Sequence, residues 1–136
     1  MIKYQILSKN QLIVICAWGG NTLEDILIFS KKLREDPDFS QGYDTIFYDN
    51  QTESKLTNDD IRILSEPRID TSKEAGKIAI VAPKDIVFGL SRMHEILSES
   101  KMPNNICVFR EIESALKWLG QEILYIEKIV ENLMMK

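Results

Sequence analysis

The chain has 136 residues, of which 44% are hydrophobic and 28% are charged, and its formal net charge is -4. This length suits one domain with a buried core and is too short for two, while the acidic balance and the dispersed basic residues argue against a nucleic-acid surface. No apolar run has the length of a membrane span and no basic-then-apolar segment indicates export, so we expect a cytoplasmic protein.

Two strand-like runs open the chain and are joined by a short polar connection. Residues 2–7 alternate between apolar and polar side chains, which suits an edge strand. Residues 11–17 are nearly all apolar and suit the centre of a sheet. Because residues 8–10 have the length of a hairpin connection, the two strands should pair in antiparallel orientation.

A helix follows a glycine-rich turn at residues 19–21. Thr22 with Asp25 three residues later resembles a capping box, in which the two side chains satisfy free backbone N–H groups. The apolar positions of this helix form a wide stripe, so we expect it to be well covered up to its end near Asp36. These positions are Leu23, Ile26, Leu27, Ile28, Phe29 and Leu33.

A third strand is predicted at residues 45–48, and a polar loop leads from there to a second helix. Thr57 and Asp60 repeat the threonine and aspartate pattern of the first helix start. The loop of residues 49–57 therefore follows a buried strand, at the edge where open α/β sheets place their sites. We predict that it is an interaction surface, formed by Asp49, Thr52, Ser54 and Thr57.

Residues 77–82 form a continuous apolar and β-branched run, which is typical of a strand covered on both faces. Pro83 ends this strand, and a helix begins near Asp85. Its apolar positions recur at helical spacing and predict a buried stripe of Ile86, Leu90, Met93 and Leu97. A last strand at residues 106–109 and a last helix from Glu111 onward complete the pattern.

Strand and helix alternate from residue 11 onward, which predicts an α/β fold with a mostly parallel sheet. We expect about five strands, with the first antiparallel to the second and the others parallel. The helices should pack on the sheet as right-handed crossovers.

Three stretches carry a family resemblance, namely residues 36–44 (DPDFSQGYD), 76–97 (GKIAIVAPKDIVFGLSRMHEIL) and 108–120 (VFREIESALKWLG). They resemble the SpoIIAA-like group of bacterial proteins, relatives of the STAS domains that include anti-sigma factor antagonists, and the match spans roughly residues 1–120. The resemblance implies a small βα superhelix that is usually non-enzymatic. Classical antagonists carry a phosphorylatable serine in an Asp-Ser-Ser-Gly-like motif at the second helix. This chain departs from that motif, because Asp49 is followed by NQTESKLT.

From this resemblance we expect a non-enzymatic, STAS-like protein-interaction or regulatory module, whose protein partner the sequence does not identify. The alternative is a carrier or sensor that holds a small hydrophobic, lipid-like ligand in an apolar pocket between helix and sheet. Neither a nucleic-acid partner nor a membrane span is expected.

The glycine-rich turn is a candidate anion or ligand contact. Gly20, Asn21 and Thr22 lead into a helix N-terminus, where free N–H groups bind anions. The turn lacks the glycine patterns of nucleotide-binding loops, so a structural tight turn is the favoured interpretation.

Two residues of the helix that begins near residue 85 are further candidate ligand contacts. Gly89 lies inside this helix, where glycine costs about 1 kcal/mol relative to alanine, so a neighbouring strand or a ligand should approach its backbone closely. Arg92 is a candidate anion contact, although an ion pair with Glu95 or Glu99 is favoured at helical spacing.

The sequence does not indicate an active site. Ser91, His94 and Glu95 contain the groups of a catalytic triad, but they lie on a helical face that we expect to be solvated, and no oxyanion donor accompanies them. Cys16 and Cys107 lie in separate apolar runs, where thiols pack as small hydrophobic side chains. Two isolated thiols and one histidine do not form a ligand cluster, so we expect no enzyme activity, no metal and no cofactor.

The family-like pattern ends at residues 118–120, and residues 121–136 form an amphipathic helical extension of the same domain. Apolar residues recur from Ile112 to Leu133 at spacings of four and three, which is a heptad seam. A helix that continued through Gly120 would be longer than one sheet face needs, so we predict a homodimer. Its contact residues would be Ile123, Ile126, Val130 and Leu133. The alternative is that the helix bends at Gly120 and folds back on its own sheet.

Overall fold

The computed structural model describes residues 1–51, 54–66, 75–99 and 105–135. Its centre is a five-stranded sheet whose strands lie side by side in chain order. These strands are β1 (Ile2–Leu7), β2 (Leu12–Ala17), β3 (Asp44–Asp49), β4 (Ile78–Val81) and β5 (Ile106–Phe109). β1 pairs antiparallel with β2, and every other neighbouring pair is parallel. The predicted α/β fold and the orientation of its strands are confirmed.

Five helices pack on this sheet within the described ranges, and their bounds are α1 (Leu23–Arg34), α2 (Asn58–Leu64), α3 (Asp85–Glu99), α4 (Ile112–Leu119) and α5 (Ile123–Met134). None of the helices in the described part of the chain combines the length and hydrophobicity needed to cross a bilayer.

Both predicted capping boxes are present. The Thr22 hydroxyl accepts from the Asp25 N–H at 3.2 Å, and the Asp25 carboxylate accepts from the Thr22 N–H at 2.9 Å. Thr57 and Asp60 exchange the same two bonds at 3.1 and 2.9 Å. These reciprocal bonds satisfy N–H groups that have no partner inside a helix, and so they determine where α1 and α2 begin.

The helices form two layers, one on each face of the sheet. When parallel strands are added to a sheet in one direction and all crossovers have the same hand, the connecting helices lie on the same face. The helices α1, α2 and α3 share a face in this way. Successive side chains of β2 point to opposite faces of the sheet. Leu12 and Val14 belong to the core under α4 and α5. Ile13 and Ile15 instead pack with Leu33 of α1.

The layer of α4 and α5 covers a well-packed core. Leu116 of α4, Ile126 of α5 and Cys16 of β2 are fully buried there. Gly120 has a φ of 70° and caps α4, so the chain turns at this residue and α5 returns over the sheet. A left-handed conformation of this kind suits glycine, because it has no Cβ to clash with the backbone.

The prediction of one continuous C-terminal helix is therefore wrong, and the alternative of a bend at Gly120 is confirmed. Ile126 and Val130 are buried in the core of their own chain, and Ile123 and Leu133 pack against the same cluster. The homodimer stays a prediction, but the residues proposed to mediate it serve intramolecular packing.

The other helix layer is less completely buried than the sequence predicts. In α1 only Leu33 is buried, and Ile28 is 61% exposed. In α3 Ile86 is 51% exposed, whereas its neighbour Val87 is buried. The buried residues of α3 are Val87, Ser91 and Ser98. The inward face of α3 is thus displaced by one residue, or about 100° around the helix, from the predicted apolar stripe, and it presents polar side chains to the interior.

Candidate functional site

A cavity of about 330 Å³ lies between the sheet and the helices α1, α2 and α3. This volume is at the lower end of the range of small-molecule pockets, which is roughly 300–1,000 Å³. Apolar side chains of β2 to β5 form its floor, among them Ile13, Ile15, Phe47, Ile78, Ile80 and Ile106. Apolar side chains of the three helices form its roof, among them Ile26, Phe29, Leu33, Ile61, Val87 and Leu90.

Polar groups line the cavity where β3 ends. The Gln51 amide donates from Nε2 to the Asp49 carboxylate at 2.6 Å, and its Oε1 accepts from the backbone N–H of Asn21 at 3.0 Å. The Asn21 side chain in turn accepts from the terminal amine of Met1 at 2.6 Å. Loss of water around Asp49 raises the pKa of its carboxyl to about 6, although the bonds from Gln51 act in the opposite direction.

The histidine lies between α2 and α3 and not on the solvated outer face that the sequence predicts. His94 Nδ1 is 2.9 Å from the Ser65 hydroxyl, and both residues line the cavity. The Ser65 hydroxyl lies 2.8 Å from the Ile61 carbonyl as well, so its single proton is donated either to that carbonyl or to His94 Nδ1.

The three residues weighed as a catalytic triad are not brought together as one. Ser91 is buried on the inner side of α3, and Ser65 is the hydroxyl that contacts His94 Nδ1. Arg92 Nη1 donates to both oxygens of the Glu95 carboxylate, at 2.5 and 2.8 Å. This result confirms the ion pair favoured for Arg92.

Two further polar residues, Ser98 and Asn105, line the cavity, and Asn105 lies at its opposite end beside the starts of β4 and β5. The Ser98 hydroxyl and Asn105 Oδ1 are buried, and neither has a hydrogen-bond partner in the described ranges. Ser98 is 4% exposed. The Asn105 side chain donates from Nδ2 to the Gly76 carbonyl, and its own carbonyl accepts from the Ile78 N–H at 2.7 Å.

Two N–H groups of the glycine-rich turn are already bonded within the chain. The N–H of Asn21 is bonded to Gln51 and that of Thr22 to Asp25. A Cβ on Gly20 would lie 2.8 Å from Cε of the exposed Lys55 side chain, which is flexible and could move away. The favoured interpretation as a structural turn agrees with these contacts.

The close approach predicted at Gly89 is wrong. A Cβ at this position would meet nothing within 4 Å, and the residue is exposed on the outer side of α3. Neither a strand nor a ligand pocket explains this glycine.

The predicted interaction loop is partly directed inward. Asp49 and Ser54 line the cavity, and the Ser54 hydroxyl accepts from the Leu56 N–H at 3.1 Å. Thr57 caps α2, as predicted, and Thr52 lies outside the described residues. The role of this loop in binding a protein stays a prediction.

Four residues of the site were not identified from the sequence, namely Gln51, Ser65, Ser98 and Asn105. Their neighbours come from other elements of the fold, so no local pattern reveals them. One signal was present, since Ser91, His94 and Ser98 recur at helical spacing and so share a face of α3.

Both cysteines are free, and burial raises the pKa of the Cys16 thiol to about 12. In the described part of the chain, no group of three or more histidine, cysteine or acidic side chains could hold a metal ion. Comparisons of the chain with protein-family models, with curated proteins and with solved structures gave no match. The STAS resemblance stays a prediction.

Proposed function

We propose that this protein binds a small, mostly apolar molecule in the cavity between the sheet and the helices α1, α2 and α3, as a carrier or sensor. The observation that supports the proposal is the cavity itself. Protein interiors are normally close-packed, and the opposite face of this sheet is filled by α4 and α5. An unfilled volume on one face of an otherwise packed domain is the form that a ligand site takes.

The energetics favour an occupant. Apolar side chains that border the cavity make fewer contacts than side chains in a close-packed interior do. A ligand that fills the cavity restores those contacts and stabilises the folded state in proportion to its concentration.

The chemistry of the lining favours binding over catalysis. Isoleucine and phenylalanine side chains form most of the floor and roof. Ser91, His94 and Glu95 do not converge as a triad, because the Glu95 carboxylate is paired with Arg92. Polar groups occur at the two ends of the cavity, where they can fix the orientation of an apolar molecule.

A neutral fluorescent probe, N-phenylnaphthylamine, tests the proposal, because its emission rises in an apolar site. Val87 is buried and lines the cavity, so Val87→Phe should fill part of it and weaken probe binding by about tenfold or more. Ile86→Phe is the matched control, because this neighbouring side chain is 51% exposed. The control should bind as the unsubstituted protein does.

Circular dichroism must show that both variants remain folded. If Val87→Phe does not fold, Leu90→Phe repeats the test from the next residue of α3 that lines the cavity, at a partly buried position. Equal probe binding by the protein, the cavity variant and the exposed control would contradict the proposal.

A further inference from the structure

We infer that the ligand carries a neutral hydroxyl group, which hydrogen-bonds to Ser98 and Asn105 at one end of the cavity. This inference rests on the proposed function and adds the polar chemistry of the ligand to it. The apolar body of the molecule would then lie along the floor of the cavity, beneath α1 and α2.

The orientation of the Asn105 amide follows from its one hydrogen bond. Its Nδ2 faces the Gly76 carbonyl, and a flipped amide would place two acceptors against each other. Oδ1 is therefore the atom left without a partner in the described ranges. Because a carbonyl oxygen can only accept, the missing partner must be a donor.

The Ser98 hydroxyl supplies the complementary group. It is buried on the inward face of α3 and has no partner in the described residues. A buried polar atom that stays unpaired costs about 1–3 kcal/mol, and native proteins seldom retain one without a reason. An alcohol satisfies both atoms, since it donates to Asn105 and accepts from Ser98.

Among the described residues, the charged side chains that line the cavity favour a neutral group at this end. Asp49 lies at the far end of β3, which at about 3.3 Å per residue is some 15–20 Å from the strand starts. Arg34 and Glu66 line the cavity but are exposed, so they lie at its rim. Arg34 Nε also donates to the Ser30 carbonyl at 3.2 Å. A carboxylate placed deep in the cavity could not donate to Asn105.

Three molecules of similar length test which polar group the cavity prefers. Each is measured by its ability to displace N-phenylnaphthylamine from the full chain. Decanol can donate and accept, nonyl methyl ether can only accept, and decanoate is an anion. Decanol should compete at a concentration about tenfold lower than either of the others, which is the effect of one good hydrogen bond.

Ser98→Ala tests the assigned residue. It should weaken the binding of decanol and of the ether alike by about threefold or more, because both accept from the Ser98 hydroxyl, and leave the advantage of decanol, which comes from donation to Asn105, unchanged. Ser91→Ala is the matched control, since it removes a buried hydroxyl from the same face of α3 two turns earlier. The control should leave the affinities of decanol and of the ether unchanged.

The outcomes separate this inference from the proposed function. Equal competition by decanol and the ether, with probe binding intact, overturns the inference alone. Tightest binding by decanoate also overturns it, and would point to Arg34 at the rim. Absence of probe binding by the folded protein overturns the proposed function, and the inference with it.

Discussion

Asp49 shows how the cavity acts on a single residue. The carboxyl group is partly buried where β3 meets the cavity, and desolvation raises its pKa from 3.8 to about 6. Between these values the folded protein holds a proton that the unfolded chain releases. The protonated Asp49 carboxyl therefore stabilises the folded state fully at pH values below the pKa of the unfolded chain. This stabilisation is lost as the pH rises through about 6.

We expect Asp49→Asn to remove this pH dependence. As the pH rises from about 4 to about 7.5, the free energy of unfolding should fall by about 2–3 kcal/mol more for the unsubstituted protein than for the variant. Each pKa unit corresponds to 1.36 kcal/mol. An asparagine side chain keeps an oxygen that can accept from Gln51. Urea unfolding at several pH values measures the difference.

Asp59→Asn provides the control for this experiment. The Asp59 side chain is 88% exposed and lies 3.8 Å from Arg62 in a surface ion pair. Such pairs contribute little, so the variant should follow the pH profile of the unsubstituted protein. Parallel profiles for Asp49→Asn and the unsubstituted protein would contradict the shifted pKa.

At the scale of the elements, residue patterns within a single turn predicted the helices better than the spacing of apolar residues did. The two capping boxes could be identified from threonine and aspartate three residues apart, because both partners belong to the same turn. The inward face of α3 could not be identified from the sequence, because a prediction from apolar spacing assumes that the helix packs on an apolar surface. In this protein it borders a cavity, and Ser91 and Ser98 are buried there while Ile86 is exposed.

The same reasoning explains which parts of the site escaped prediction. Asp49 was identified because it directly follows a strand. Asn105 and Gly76 belong to segments that only the sheet brings together, and Ser65 meets His94 across two helices. Pairings between distant segments have no spacing in the sequence by which one chain could reveal them.

Two glycines in helical regions should respond in opposite ways to replacement by alanine. Gly120 has a φ of 70° at the end of α4, and an L-residue in this conformation costs roughly 1–2 kcal/mol. Gly89 lies exposed within α3, where a Cβ meets nothing within 4 Å, so Gly89→Ala should stabilise the protein by up to about 1 kcal/mol.

Urea unfolding of the two alanine variants measures this contrast. Gly120→Ala should lower the free energy of unfolding, and far-ultraviolet circular dichroism should show no gain of helix, because packing of α5 on the sheet still requires the turn. A stabilised Gly120→Ala variant with more helix would instead support the continuous C-terminal helix.

At the scale of the whole molecule, the two faces of the sheet differ in packing. Ile126 of α5 is fully buried in the core under α4 and α5. Ile61 of α2 is 4% exposed and borders the cavity. Removing side-chain atoms from a filled core loses contacts on all sides, whereas beside an existing cavity fewer contacts are lost.

We therefore expect Ile126→Ala to destabilise the protein by about 4 kcal/mol and Ile61→Ala by about 2 kcal/mol. Leu124→Ala, on the outer side of α5 where the side chain is 78% exposed, should change the stability by less than about 0.5 kcal/mol. Urea unfolding of the three variants at two protein concentrations measures these costs, and it also tests for a dimer, whose midpoint depends on concentration. If Leu124→Ala cost as much as Ile126→Ala and the midpoint rose with concentration, the outer face of α5 would be an interface between two copies of the chain. If Ile61→Ala cost as much as Ile126→Ala, the two faces of the sheet would be equally well packed, and no ligand would be needed to complete the packing around the cavity.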